Sequence, residues 1–122
     1  MKTILLVEDD KFLSSLLKNR IEKEGMTVIH SSDGESAIEN LRSMKVDLVL
    51  LDVILPKKNG FEVLEEIQSD PILRENSVFI ISNLGQESDM ARGRDLGAVE
   101  YYVKAQTSID DLVTKVKTYV GV

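Results

Sequence analysis

The stretch that decides the fold is Asp47-Leu48-Val49-Leu50-Leu51-Asp52, which breaks into the turn Leu55-Pro56-Lys57-Lys58-Asn59-Gly60. Its four consecutive aliphatic residues leave no polar side for water, so Asp47 to Leu51 reads as a strand buried on both faces. Asp52 then stands at the carboxyl end of a central strand, where open α/β sheets place their chemistry. A second acidic group, Glu8-Asp9-Asp10, ends the apolar run Ile4-Leu5-Leu6-Val7 in the same way. If the two strands are parallel and adjacent, these carboxylates meet at one edge. Like charges so crowded are unfavourable unless a cation neutralises them, so the pattern implies a divalent metal or raised pKa values.

Outward from that strand, short apolar runs alternate with segments of helical period. Thr3 to Val7, Thr27 to His30, Val78 to Ser82 and Tyr101 to Val103 read as further strands, giving five in all. Between them, Leu13, Leu16, Leu17 and Ile21 recur at helical spacing, as do Ala37, Ile38 and Leu41, then Leu64 and Ile67, and finally Leu112, Val116 and Tyr119. Gly25 and Gly97 suit helix C-terminal positions, Ser32-Asp33-Gly34-Glu35 has the form of a capping box, and Thr107 or Ser108 suits the cap of the last helix. The segment from Gln86 to Leu96 holds Gly93 and little apolar stripe, which predicts a short, mobile helix. Alternating β and α units demand a parallel sheet with right-handed crossovers and helices on both faces. No repeat or Pro/Gly-rich linker divides the 122 residues, so a single domain over 1–122 is expected.

A net charge of −6 without a Lys/Arg run argues against direct DNA binding by this chain and points to protein partners. Cysteine is absent, which excludes disulfides and thiolate chemistry, and a zinc site would have only His30 and carboxylates. The four apolar residues after Met1-Lys2-Thr3 are too few for a signal-peptide core or a membrane span, so a cytoplasmic, membrane-free protein is expected. The glycines form neither G-x-G-x-x-G nor a phosphate-binding loop, and no nucleophile elbow is present. A haloacid-dehalogenase-type phosphotransferase would carry a second aspartate two residues after the first; that position holds Ile54.

Taken together, Ile4-Leu5-Leu6-Val7-Glu8-Asp9-Asp10, Asp52 with Leu55-Pro56 and Gly60, Ser82 ending the fourth strand, and Tyr101-Tyr102-Val103-Lys104 ending the fifth resemble the receiver domain of two-component response regulators. The resemblance covers the whole chain, with four separate motifs in matching order and spacing. It implies a flavodoxin-like, doubly wound (βα)5 fold with strand order 2-1-3-4-5, switched by aspartate phosphorylation. The chain would be a signalling switch whose only catalysis is its own phosphorylation and dephosphorylation.

The resemblance implies a role for each matching residue. Asp52 would accept phosphate from a phosphohistidine of a sensor histidine kinase or a histidine phosphotransfer protein, by carboxylate attack on phosphorus. Glu8, Asp9 and Asp52, with the main-chain oxygen of Ile54, would hold Mg2+, a hard ion that prefers oxygen. Asp10 fits a helix N-terminus better than the metal. Lys104 would bring its ammonium to the transferring oxygens, and Ser82 would donate its hydroxyl to one of them. Tyr101 occupies the aromatic switch position, outward when Asp52 is free and inward when Ser82 is drawn to phosphate, although strand propensity alone also accounts for a packed ring there. His30 is expected in core or edge packing.

Two positions depart from the family pattern. Ala105 stands where a proline after a cis bond is common, so the loop after Lys104 is either built differently or strained. Asn83 replaces a smaller residue, where it would narrow access to the phosphate or bond to it. The output surface is expected to combine the helix near Arg92 and Asp95, the strand Glu100 to Val103, and the last helix at Asp111 and Lys115. The downstream partner is a separate protein or an output domain missing from this chain. Two rival readings are a small phosphotransferase acting on metabolites, which lacks a general acid here, and a degenerate receiver that binds partners without phosphate, against which the full set of site residues argues.

Overall fold

The computed structural model describes residues 1–122 and contains one five-stranded sheet in the order β2-β1-β3-β4-β5. The strands are β1 Thr3–Val7, β2 Thr27–Ser31, β3 Leu48–Leu51, β4 Val78–Ser82 and β5 Glu100–Val103, and all neighbours pair in parallel. The helices are α1 Lys11–Lys23, α2 Gly34–Ser43, α3 Gly60–Ser69, α4 Glu87–Asp95 and α5 Ile109–Val120, with single 3-10 turns at Leu73–Glu75 and Lys104–Gln106. The expected fold class and strand order are those observed.

Side-chain alternation divides the core in two. Leu5, Val7, Val49, Leu51, Val78 and Ile80 point to the face covered by α2 and α3, where Ala37, Leu41, Phe61, Leu64 and Ile67 meet them and α4 adds Met90 and Leu96. Ile4, Leu6, Leu48, Leu50, Phe79 and Ile81 point to the other face, against Leu17 and Ile21 of α1 and Leu112, Val113 and Val116 of α5. Two covered faces are why the central strands read as unbroken apolar runs.

Strand and cap positions refine the sequence reading at several ends. Asp47 lies before β3 and its carboxylate accepts from the Thr3 N–H at 2.7 Å, while β2 runs on to Ser31 and β5 begins at Glu100. Ser32 is outside the cap of α2: Asp33, in extended backbone, is the N-cap and its carboxylate accepts from the Ser36 N–H at 2.8 Å. Ser108, rather than Thr107, caps α5 through the Asp111 N–H. Gly25 and Gly97 follow α1 and α4 with φ of 91° and 99°, the left-handed termination that glycine allows. α4 is short, as expected, and Gly93 is its only buried residue.

Candidate functional site

Register brings the site together. Leu51 lies beside Val7 on one side and Ile80 on the other, and Ser82 lies beside Val103, so the strands end on a common line. Pairing continues one step beyond the strands: Glu8 N–H donates to the Ser31 carbonyl and Asp52 N–H to the Val7 carbonyl, both at 3.0 Å. These bonds fix Glu8 and Asp52 by their backbones, and both side chains are buried. Asp10 turns away to cap α1 by accepting from the Leu13 N–H at 3.0 Å, while Asp9 stays exposed. The dipole-facing expectation for Asp10 therefore matches its position.

Lys104 is the cation among these carboxylates. Its Nζ lies 2.8 Å from Asp52 Oδ2 and 2.8 Å from Glu8 Oε2. Asp52 Oδ1 accepts from the Val53 N–H at 2.7 Å and the Ile54 N–H at 3.4 Å, and Glu8 Oε1 accepts from the Asp10 N–H at 3.1 Å. Glu8 Oε2 is buried, and its contact with the ammonium is an ion pair without hydrogen-bond alignment, so that oxygen is left without a directed donor. Burial raises the Glu8 pKa, the Asp52 charge adds to the rise, and the Lys104 ammonium opposes it. Burial works against the Lys104 ammonium, yet its hydrogen bond to Asp52 and its pairing with Glu8 outweigh that and hold its pKa above the ordinary value.

Glu8, Asp9 and Asp52 each offer a carboxylate oxygen, all within 4.8 Å of one another. They line an open cleft of about 250 Å³ together with Asp10, Ile54, Asn83 and Lys104. Hard oxygen donors and an undirected buried oxygen suit a small divalent cation that keeps part of its water. Ile54 projects its side chain outward, 60% exposed, at the rim.

The remaining predicted residues sit behind the cleft. Ser82 is fully buried, and its Oγ accepts from the Leu84 N–H at 3.2 Å. Tyr101 has its ring inside, and its hydroxyl donates to the Leu84 carbonyl. Burial raises the Tyr101 pKa and the Asp89 charge adds to it. The chain after Lys104 takes a 3-10 turn without a cis bond, which resolves the expectation at Ala105 in favour of a differently built loop. Asn83 lines the cleft, as its position suggested. His30 is exposed on edge strand β2, with Nε2 2.7 Å from the Glu8 carbonyl, so it is an edge residue and not a core one. That contact was foreseeable only from the register, which sets His30 beside Leu6, two residues before Glu8.

Residues 4–117 match the response regulator receiver domain. This chain belongs to that family. The transcriptional regulatory protein CpxR of Escherichia coli K12 is 42% identical over 104 residues, which are 85% of this chain and 43% of CpxR. The chain therefore spans under half the length of that relative. The Mn2+-bound form of response regulator Rcp1 is 31% identical with a TM-score of 0.84, over 97% of this chain and 93% of that one. The phosphorylated cyanobacterial phytochrome response regulator RcpA is 35% identical with a TM-score of 0.84, over 96% and 89%. This receiver is thus a phosphorylation-dependent switch of two-component signalling. None of its helices is long and apolar enough to cross a membrane.

Proposed function

We propose that this receiver takes a phosphoryl group onto Asp52 from a phosphohistidine of a partner kinase or phosphotransfer protein in the cytoplasm, and signals through the α4-β5-α5 side. The observation that carries the reading is the half-buried Lys104 ammonium shared between Asp52 and Glu8 at 2.8 Å each, beside an open, acid-lined cleft. Asp52 supplies the nucleophilic oxygen. As the new P–O bond forms, the P–N bond to the donor imidazole breaks and its electron pair returns to that nitrogen. The product is an acyl phosphate, with the lysine ammonium left to pair with a phosphoryl oxygen. Backbone donors from Val53 and Ile54 hold the other Asp52 oxygen in place. Ser82, at the end of β4 with its Oγ beside the Leu84 N–H, would donate its hydroxyl proton to a phosphoryl oxygen.

Glu8, Asp9, Asp52 and the Ile54 carbonyl would hold Mg2+, for which the Mn2+-bound relative is a precedent. The ion supplies charge neutralisation to the anions gathered there. Of the output surface, Asp95, Glu100, Asp111 and Lys115 are exposed, whereas Arg92 is engaged within the chain, 4.4 Å above the Phe61 ring and 3.9 Å from Glu65. What listens is a separate protein or an output domain encoded beyond this chain.

The test is Mg2+-dependent labelling by acetyl phosphate, with beryllofluoride as a stable mimic. The parent should take up a base-labile label that hydroxylamine removes, and Asp52→Asn should take up none while remaining folded. Asp9→Ala should bind Mg2+ more weakly than the parent, and equal binding would mean the metal site is wrongly placed. Undiminished label on Asp52→Asn overturns the assignment.

A further inference from the structure

Helix α4 carries its weakest helix former on its inner face. Gly93 lies inside Glu87–Asp95, where only proline would be worse, and no left-handed backbone asks for glycine there. Space does. A Cβ on Gly93 would stand 2.8 Å from Tyr101 Cδ2, 3.2 Å from Tyr101 Cε2 and 2.8 Å from Ile80 Cδ1. The Tyr101 ring therefore occupies the volume that any side chain at this position needs. Its far end is fixed by the hydroxyl bond to the Leu84 carbonyl, and Leu84 in turn donates its N–H to Ser82 Oγ at 3.2 Å.

The helix is held near the ring. Arg92 stacks over Phe61 of α3, and the Gly93 carbonyl accepts from the Ala98 N–H at 3.0 Å, which fixes the chain between α4 and β5. Ile80 is enclosed in the core. An added methyl would press on the Tyr101 ring and on the Ile80 terminal methyl, and the ring, with two atoms in the way, takes up more of that volume.

We infer that Gly93 is a positioning residue for Tyr101: its missing side chain is the seat of the inward ring, and through the Tyr101–Leu84 bond it sets the loop that follows Ser82. This rests on the reading of Ser82 and Tyr101 as the arm that responds to phosphate at Asp52. A filled seat shifts the ring outward before any phosphate arrives. Phosphate must then bind a smaller population of competent molecules, which weakens its apparent affinity in proportion.

Incorporating 3-fluorotyrosine and assigning the resonance by Tyr101→Phe gives a direct reading of the ring. In Gly93→Ala the Tyr101 resonance should move to an exposed position, and beryllofluoride affinity should fall about tenfold. In a Tyr101→Ala background the same Gly93→Ala change should alter that affinity less than about twofold, because the obstacle is gone. Unmoved fluorine signal in Gly93→Ala overturns the inference, and so does an equal affinity loss with and without the ring. If Gly93→Ala folds poorly, the comparison is made in Ile80→Val, which removes the other atom the methyl meets. A parent that takes up no beryllofluoride would overturn the phosphate-site reading, while the fluorine signal would still decide the seat.

Discussion

At the scale of single residues, Lys104 competes for the oxygens that a metal would use. Its ammonium lies 2.8 Å from both Glu8 Oε2 and Asp52 Oδ2, with 20% of its side chain exposed. Lys104→Ala leaves two buried carboxylates without a cation, so metal-free stability should fall by about 2–3 kcal/mol, below the figure for a fully enclosed pair. The same variant should bind Mg2+ at least about threefold more tightly, since a neighbouring positive charge is gone. Calorimetric titration of both proteins checks this, and weaker Mg2+ binding in the variant contradicts it. In the parent, the raised Lys104 pKa fixes the sign with pH: the pair contributes fully below the ordinary value of 10.5 and is lost as the pH climbs through the raised one. Ile54 and Leu84 set a second expectation. Neither can hydrogen-bond a water, and Ile54 is 60% exposed at the cleft rim while Leu84 packs against the core, so the two do not account for each other. The phosphorylated form should decay slowly, and Ile54→Asn with Leu84→Glu should hasten the decay by about tenfold or more. A double variant that keeps the parent's rate removes the claim.

At the scale of elements, the β3–α3 loop holds the one non-glycine residue with positive φ, Lys57 at 67°. A lysine there bears the left-handed penalty, and its 3.9 Å pair with Asp33 is exposed and weak. Lys57→Gly should raise stability by about 0.5 kcal/mol, the relief of strain less the added freedom of the unfolded chain. Urea unfolding measures it, and a loss of stability would give the Asp33 contact the larger share. This loop also shows where the sequence stops being legible. The strands could be read because apolar runs report double-sided burial, and Glu8, Asp52 and Lys104 could be read because strand ends converge. Left-handed Lys57 could not, since no local pattern marks it. The Asn59–Glu62 capping box that starts α3 was legible in its N-x-x-E spacing ahead of Val63-Leu64, although it overlaps the turn. The α2 cap was misread by one residue because Ser32 and Asp33 are both good caps and only backbone direction chooses between them. Strand propensity already allowed a packed ring at Tyr101; its particular partners, Gly93 of α4 and the Leu84 carbonyl, are distant in sequence and could not be read from it.

At the scale of the whole molecule, the site and the cores share one sheet. Leu51 sits in one core and Leu50 in the other, and Asp52 follows both. Neither layer can lose its packing without disturbing the strands that carry Glu8, Asp52, Ser82 and Lys104, which predicts one cooperative unfolding transition. Ligand bound at the strand ends should then stabilise the entire domain. Magnesium with beryllofluoride at about 100 times its Kd adds about 2.7 kcal/mol. For a domain of this size that is roughly a 10 °C rise in Tm. Asp52→Asn should lose the beryllofluoride increment yet keep the single transition, because its backbone bond to Val7 and the two cores do not depend on the charge. Scanning calorimetry of both proteins, with and without the ligand, gives the answer. A second transition that ignores the ligand would mean that part of the fold, the α4–β5 edge first among candidates, melts apart from the site.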